Sequence, residues 1–210
     1  MASDTAPRPQ ILTLAIGLLE ANCYLVWNED TQDLLIIDPG DEPDRIVQAV
    51  MARGLQPRAI LLTHAHVDHI RAVPDLVRRW SIPAWVAPAD RPMYHSPQNA
   101  LPPWVSAASN LPEPQEVPTD LPGLAFRVLP TPGHSPGGVC YYFPTADIVF
   151  TGDALFHGSI GRTDLPGSDS ATLLASIRQQ LLVLPPATVI YPGHGAASTI
   201  AEEAANNPYL

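Results

Sequence analysis

The stretch ILLTHAHVDHI, residues 60–70, places three of the chain's seven histidines and an aspartate directly after a run of aliphatic residues. His64 and His66 are two positions apart, which puts both side chains on one face of an extended segment but not of a helix. Imidazole and carboxylate groups are ligands that zinc and iron accept in proteins. The stretch therefore predicts a metal site at the end of a β-strand, with Asp68 and His69 in the turn that follows.

A strand-like run that leads into a ligand-type residue recurs in four other segments. AFRVLPTPGH leads to His134, DIVFTGD to Asp153, TVIYPGH to His194, and LLIID ends on Asp38. Functional side chains collect at strand ends because the loops there converge over a rigid sheet. A buried cluster of such polar groups is costly unless something pairs with it, and a metal ion does so. The sequence therefore predicts one shared metal site.

The composition is that of a globular protein with a hydrophobic core. The chain has 210 residues, of which 46% are hydrophobic and 15% are charged, and this length is enough for one full core. Strand-like runs alternate with helix-like stretches at 42–54, 73–80 and 170–184. Mixed strands and helices predict a layered α/β or α+β architecture.

The segment 97–122 is rich in proline and has no regular hydrophobic period. We interpret it as a long surface loop, which acts either as a functional lid or only as a linker. It also suggests how the chain is organised. We predict a single domain over residues 1–210, built from two halves with a seam near residue 115.

The charge pattern and the hydrophobic runs exclude several classes of protein. The net charge is −10 and all eleven basic residues are arginine, whereas a nucleic-acid groove needs a basic stripe. No apolar run approaches the ~20 residues that span a bilayer, and 11–19 is interpreted as a first strand rather than an export signal. Cys23 and Cys140 are too few for a disulfide framework and are expected to pack as buried apolar residues. We expect a cytoplasmic protein that binds neither nucleic acid nor membrane, with its oligomeric state open.

Four motifs in order, THAHVDH, PGHSPG, GDALF and PGHG, resemble those of the metallo-β-lactamase superfamily. The resemblance runs across nearly the whole chain, and the first motif is highly specific. It implies an α+β fold, the αββα sandwich, in which two stacked mixed β-sheets are flanked by helices. It also implies two divalent metal ions at one edge of the sheets, with zinc as the first choice and iron or manganese as alternatives.

The resemblance implies a role for each ligand-type residue. The first metal is assigned to His64, His66 and His134. The second metal is assigned to Asp68, His69 and His194, with Asp153 bridging the two ions and Asp38 orienting the ligands from behind. Asp68 and Asp153 are the implied catalytic residues, since a hydroxide shared by the two metals is the implied nucleophile and Asp68 can orient it.

Within the superfamily, LFHGSIGRTDLPGSD (155–169) and the ending NNPYL resemble the short, single-domain glyoxalase II-like hydrolases. Full-length glyoxalase II has a lysine where this chain has Arg162, and a C-terminal helical domain that helps to bind glutathione. Only 16 residues follow His194 here, so we do not expect that domain. Arg162 is predicted either to bind a substrate carboxylate or to pair with Asp164 or Asp169. Three further residues are predicted to line the cleft: Phe156, His157 and Tyr142.

The implied activity is hydrolysis of a small thioester such as S-lactoylglutathione. Two alternatives stay open at this point. One is a persulfide dioxygenase, which shares a similar GRTD segment and uses one iron that the resemblance maps to His64, His134 and Asp153. The other is a metal-binding protein without catalytic activity, against which the intact ligand set weighs.

Overall fold

The first half of the chain forms a five-stranded mixed sheet in a computed structural model that describes residues 8–210. Its strands, in both chain and sheet order, are β1 (Gln10–Ile16), β2 (Ala21–Trp27), β3 (Asp33–Ile37), β4 (Gln56–Leu61) and β5 (Ala84–Trp85). The first three strands pair antiparallel, and β3, β4 and β5 pair parallel. Parallel neighbours need a crossover connection, and helices supply it here.

Helices of the first half connect the parallel strands. Helix α1 (Pro43–Met51) connects β3 to β4, and α2 (Val67–Ile70) and α3 (Val73–Trp80) connect β4 to β5, while the short α4 (Arg91–Tyr94) follows β5. The buried face of α1 carries Ile46 and Val50, and that of α3 carries Val73 and Leu76. These four side chains belong to a hydrophobic cluster that covers the outer face of the first sheet.

The second half forms another five-stranded sheet. The strands of this half, in chain order, are β6 (Arg127–Pro130), β7 (Val139–Phe143), β8 (Ile148–Gly152), β9 (Leu155–Phe156), β10 (Ser159–Ile160), β11 (Val189–Pro192) and β12 (Ser198–Thr199). The sheet order is β12-β11-β8-β7-β6, while β9 and β10 pair with each other in a small hairpin. The helices are α5 (Ser170–Ser176), which continues as a π-helical turn over Ile177–Leu181, and α6 (Ile200–Asn206).

The two sheets pack face to face, and alternation along the strands sets which side chains lie between them. In β7, Tyr141 and Phe143 belong to the cluster between the sheets. Cys140 and Tyr142 point to the opposite face, where they pack with α5. The layers are therefore helix, sheet, sheet, helix, which confirms the predicted αββα sandwich. Cys23 and Cys140 are both free and buried, as expected.

Most predicted elements are present with shorter bounds. The helix predicted over 42–54 ends at Met51, and Gly54 follows with a positive φ of 66°. The helix predicted over 170–184 changes to a π-helical turn after Ser176. Among the described residues, none of the helices has the length and hydrophobicity that a membrane crossing requires. The single domain with a seam near residue 115 stays a prediction.

Candidate metal centre

The predicted ligands lie at strand ends of both sheets, and the structure brings all seven together. His64 and His66 follow β4 in an extended segment, and α2 begins at the next residue, so that Asp68 and His69 lie in its first turn. Asp153 directly follows β8. The two others are in loops: His134 between β6 and β7, and His194 after β11.

The first ligand group consists of His64, His66 and His134, whose ring nitrogens lie within 4.8 Å of one another. His66 Nδ1 and His134 Nε2 are 2.9 Å apart. The outer nitrogens are held by the protein: His64 Nδ1 is 3.0 Å from Thr63 Oγ1, and His134 Nδ1 donates to the carbonyl oxygen of Arg162 at 2.9 Å. Such outer contacts fix the ring orientation and the tautomer, and leave the inner nitrogens free for a cation.

The second group consists of Asp68, His69 and His194, whose ligand atoms also lie within 4.8 Å of one another. His194 Nε2 is 3.2 Å from Asp68 Oδ2. Here too the outer ring nitrogens have protein acceptors, since His194 Nδ1 donates to Leu19 O at 3.0 Å and His69 Nδ1 donates to Asp38 Oδ2 at 3.1 Å. In both groups, therefore, two histidines have their outer ring nitrogens in contact with protein atoms.

The Asp153 carboxylate lies between the two groups. Its Oδ2 is 3.6 Å from His134 Nε2 in the first group and 3.7 Å from His194 Nε2 in the second. Its Oδ1 is 3.4 Å from His69 Nε2. This is the position that a bridging ligand needs, and the bridging role itself stays a prediction.

The cluster contains buried polar atoms that no protein group satisfies. Within residues 8–210, the buried side-chain atoms without a hydrogen-bond partner include four from the two groups and Asp153: His64 Nε2, His69 Nε2, Asp68 Oδ1 and Asp153 Oδ1. Buried polar atoms without partners are costly and uncommon in native proteins. All four belong to metal-ligand residue types and lie in one cluster, so the arrangement fits bound cations.

The electrostatics of the cluster also favour a cation. Burial lowers the pKa of His64 well below its ordinary value and lowers that of His66 to about 3, so both rings are neutral, the form that binds metals. Burial opposes charge on His69, but the carboxylates of Asp68 and Asp153 outweigh it and raise the pKa of His69. The carboxylates of Asp68 and Asp153 therefore favour a cation at a buried position where burial alone would disfavour positive charge.

Asp38 connects the two groups from behind. Its carboxylate accepts hydrogen bonds from Thr63 N at 2.7 Å and Thr63 Oγ1 at 2.6 Å, in addition to the one from His69. Since the Thr63 hydroxyl also contacts His64 Nδ1, one buried carboxylate orients a histidine in each group. The resemblance implied that Asp38 orients the ligands from behind, whereas no feature of the sequence pointed to Thr63.

Asp90 is a second buried carboxylate that the sequence did not reveal. It accepts hydrogen bonds from Ala65 N at 3.0 Å, Ser135 Oγ at 2.8 Å and Gly137 N at 2.5 Å. Ala65 lies between His64 and His66, while Ser135 follows His134 directly. Burial raises the pKa of Asp90, although the three donors favour the charged form. Asp90 therefore ties together the two loops that carry the first ligand group.

The ligand cluster forms one side of a cavity of about 420 Å³. The lining residues from the cluster are His66, Asp68, His134, Asp153 and His194, and the others are Leu19, Leu101, Trp104, Phe156, Ile160, Arg162 and Leu165. Leu101 and Trp104 belong to the proline-rich segment 97–122. This segment is therefore part of the cavity wall and not only a linker.

The predicted cleft residues divide into two that line the cavity and two that do not. Phe156 and Arg162 line it. The prediction was wrong for Tyr142, because its place in β7 directs the side chain to the buried face against α5. It was also wrong for His157, whose exposed ring lies 3.4 Å from both Ser198 and Glu203, outside the cavity lining.

Arg162 pairs with Asp164, one of the three partners that the sequence left open. Its Nε donates to Asp164 Oδ1 at 2.7 Å and its Nη2 donates to Asp164 Oδ2 at 2.8 Å. This two-pronged contact lowers the pKa of Asp164 to about 2. Asp169 instead caps α5 by accepting from Thr172 N at 2.7 Å. A contact of Arg162 with a substrate carboxylate stays a prediction.

The sequence is similar to those of known proteins from one superfamily. Residues 16–194 match the sequence profile of the metallo-beta-lactamase superfamily. The probable metallo-hydrolase YqgX of Bacillus subtilis is 39% identical, with 94% of this chain and 95% of YqgX covered. The hydroxyacylglutathione hydrolase GloC of Haemophilus influenzae is 35% identical, with 94% of this chain and 96% of GloC covered.

Two solved structures are similar to this chain in both fold and sequence. The B3 metallo-beta-lactamase BLEG-1 superposes with a TM-score of 0.87 at 36% identity, covering 96% of this chain and 99% of BLEG-1. TTHA1623, solved in a di-iron-bound form, superposes with a TM-score of 0.84 at 44% identity, covering 95% of this chain and all of TTHA1623. Similar proteins thus include one that holds two metal ions.

Proposed function

The chain belongs to the metallo-β-lactamase superfamily, and from that premise we propose that it is a metal-dependent hydrolase of small thioesters. The observation that carries the proposal is the pair of ligand groups on either side of Asp153, with four buried atoms that lack protein partners. The choice of thioesters is supported by the similarity to the hydroxyacylglutathione hydrolase GloC.

The two ligand groups would hold two divalent cations, with zinc as the first choice and iron or manganese as alternatives. Such ions, when bound, lower the pKa of water towards 7 and polarise a carbonyl group. The protein contributes the arrangement of the ligands. Outer contacts to Thr63, Arg162 O, Asp38 and Leu19 O keep the four histidine rings concerned turned with one nitrogen inwards.

The residues of the cavity orient the reactants. Asp68 lines the cavity, and its carboxylate is placed to accept a hydrogen bond from the attacking water. The thioester carbonyl lies over the ligand cluster, while the substituents of the substrate contact the apolar wall. A leaving thiol has an ordinary pKa of about 8.5, so it departs as thiolate with little help from an acid. The reaction therefore needs no dedicated proton donor.

Two measurements on the purified protein test this function. Elemental analysis of protein prepared without added metal is expected to give about two metal ions per chain. Hydrolysis of S-lactoylglutathione or a related small thioester is expected, and no oxygen uptake is expected with glutathione persulfide. One iron per chain with oxygen uptake and no thioester cleavage would instead identify a persulfide dioxygenase. Bound metal with neither reaction would indicate a non-catalytic metal-binding protein.

A further inference from the structure

Resting on the proposed thioester hydrolase function, we propose that the cavity selects uncharged thioesters with an apolar arm. Anionic thioesters, such as glutathione conjugates, fit it less well. The proposal concerns the part of the substrate beyond the reacting carbonyl. It rests on the chemistry of the cavity wall, on how that wall is held in place, and on the distribution of charge around it.

The cavity lining outside the ligand cluster is apolar apart from Arg162. Its six apolar side chains are Leu19, Leu101, Trp104, Phe156, Ile160 and Leu165. The cavity volume of about 420 Å³ is within the range of pockets that bind small organic ligands. Trp104 is 56% exposed although it is a large aromatic residue. An apolar arm that covers this ring and the neighbouring leucines removes apolar surface from water, which favours binding.

Trp104 is presented by a tight, well-anchored turn. Leu101 and Val105 exchange backbone hydrogen bonds of 3.0 and 2.9 Å, and Trp104 N donates to Leu101 O at 3.0 Å. Leu101 and Val105 are buried against Val67, which lies between His66 and Asp68 in sequence. The wall is therefore fixed relative to the ligand cluster, so an arm lying against it keeps a defined distance from the reacting carbonyl.

The buried side chain of Asn99 closes the base of the same segment. It donates to Tyr94 O at 3.2 Å and to Ala108 O at 3.3 Å, and it accepts from Ala108 N at 2.9 Å. Residues 94–108 are thus held by internal hydrogen bonds. A preformed wall costs little ordering entropy when a ligand binds.

Within residues 8–210 and beyond the ligand cluster, the cavity wall offers the arm of an anionic substrate no unpaired cationic side chain. Of the described residues that line it, only Arg162 carries a guanidinium, and Asp164 already accepts from two of its nitrogens. The chain has a net charge of −10. Glutathione thioesters carry two carboxylates and one ammonium group and are anions at neutral pH. An acidic protein repels such substrates over long range.

The first experiment measures how kcat/KM depends on the length of the apolar arm. One series is S-acetyl, S-butanoyl, S-hexanoyl and S-octanoyl N-acetylcysteamine, in which the acyl arm grows. The other series is methyl, butyl and hexyl thioacetate, in which the thiol arm grows. We expect kcat/KM to rise about two- to fourfold per added methylene in at least one series, since each buried methylene contributes a factor of this size. Two flat series would overturn the proposal.

Two variants with matched exposure locate the effect. Trp104→Ala is expected to flatten the dependence on arm length. Tyr209→Ala removes an aromatic ring of nearly equal exposure, 55%, outside the cavity lining, and is expected to keep that dependence. Acetyl and hexanoyl thioesters of glutathione, assayed in parallel, are expected to react more slowly than the N-acetylcysteamine thioesters. Faster turnover of both glutathione thioesters would contradict the proposal.

A binding measurement separates this proposal from the hydrolase function. Isothermal titration calorimetry of the zinc-loaded protein is performed with S-hexyl-N-acetylcysteamine, a thioether that cannot be cleaved, and with its S-methyl counterpart. We expect tighter binding of the hexyl compound, and expect that advantage to disappear in Trp104→Ala. If no thioester is cleaved while this preference persists, the hydrolase function fails and the apolar site stands. If thioesters are cleaved without any preference for the hexyl compound, the apolar site fails and the hydrolase function stands.

Discussion

Asp153 lies between the two ligand groups, so a single carboxylate is placed to serve both. We expect Asp153→Ala to reduce the metal content from about two ions per chain to less than one. Loss of even an outer partner of a ligand costs 10–100-fold in metal affinity, so the loss of this carboxylate should exceed about 100-fold. Inductively coupled plasma mass spectrometry and the thioester assay measure both effects. Asp120→Ala, which removes an exposed carboxylate outside the cavity lining, is the control. Unchanged stoichiometry in Asp153→Ala would disprove the bridging role.

Arg162 lines the cavity, but its guanidinium is already paired with the neighbouring Asp164. Because its guanidinium is held by Asp164, we expect Arg162→Ala to change KM for acidic and neutral thioesters by the same factor. The metal content should stay the same, since His134 contacts only the backbone oxygen of Arg162. A substrate carboxylate bound by Arg162 predicts the opposite pattern. In that case KM rises roughly ten- to more than a hundredfold for acidic thioesters alone, and Arg162→Lys partly restores it.

At the scale of elements, glycines let backbone segments approach the ligands closely. A Cβ atom on Gly193 would lie 2.1 Å from Asp153 Oδ1, and one on Gly161 would lie 1.8 Å from Asp153 O. Gly133, with a positive φ of 133°, brings the loop of His134 against the start of α5. These contacts explain why turns containing glycine adjoin the ligand residues in the sequence.

Helix α6 is attached to the β9–β10 hairpin through the buried carboxylate of Glu203. This carboxylate accepts from Gly158 N at 2.9 Å and Asn207 Nδ2 at 2.8 Å, and also from the Ser198 hydroxyl, with His157 at 3.4 Å. Burial raises the pKa of Glu203, but the hydrogen bonds outweigh it and lower the pKa below its ordinary value of 4.5. The charged form is thus the one that stabilises the fold.

The lowered pKa of Glu203 predicts a defined pH dependence. Its contribution to stability is fully present above about pH 4.5 and is lost as the pH falls through the lower, folded-state pKa. We expect Glu203→Gln to cost about 1–3 kcal/mol at pH 7, and expect this difference from wild type to shrink below pH 4.5. Urea denaturation between pH 3 and pH 8 measures it. Glu202→Gln, on the same helix but exposed, is the control. A difference that is independent of pH would refute the assignment.

At the scale of the whole molecule, the metal centre lies where the two sheets meet and is expected to stabilise both halves. Removing the metal with a chelator leaves the carboxylates of Asp68 and Asp153 without a cation. A ligand present at 100 times its dissociation constant stabilises a protein by about 2.7 kcal/mol, which in a chain of this size corresponds to roughly 5–10 °C in Tm. We expect differential scanning calorimetry to show such a fall after chelation, and recovery on adding zinc. Asp153→Ala should show little change, and an unchanged Tm in the wild type would argue against structural coupling.

The residues that converge in the cluster could be recognised in the sequence because each of them stands in a local pattern. A strand that ends in a histidine or an aspartate beside a turn is recognisable without knowledge of the fold, and the THAHVDH motif is specific. The αββα architecture followed from the same motifs, because their resemblance to one superfamily extended along the chain. In such patterns, residues near one another in sequence determine the local geometry.

The cavity wall and the support of the ligands were decided only by the tertiary structure. Phe156 lines the cavity while its neighbour His157 contacts Ser198 and Glu203, and nothing in the sequence distinguishes the two environments. Asp90 accepts hydrogen bonds from Ala65 N and Ser135 Oγ, whose residues are 25 and 45 positions away from it in the sequence. Trp104 lies in a segment without hydrophobic periodicity. This segment forms part of the cavity wall because its residues Leu101 and Val105 pack on Val67. The physical reason is that these contacts join residues far apart in the chain, so they exist only after the two sheets have packed together.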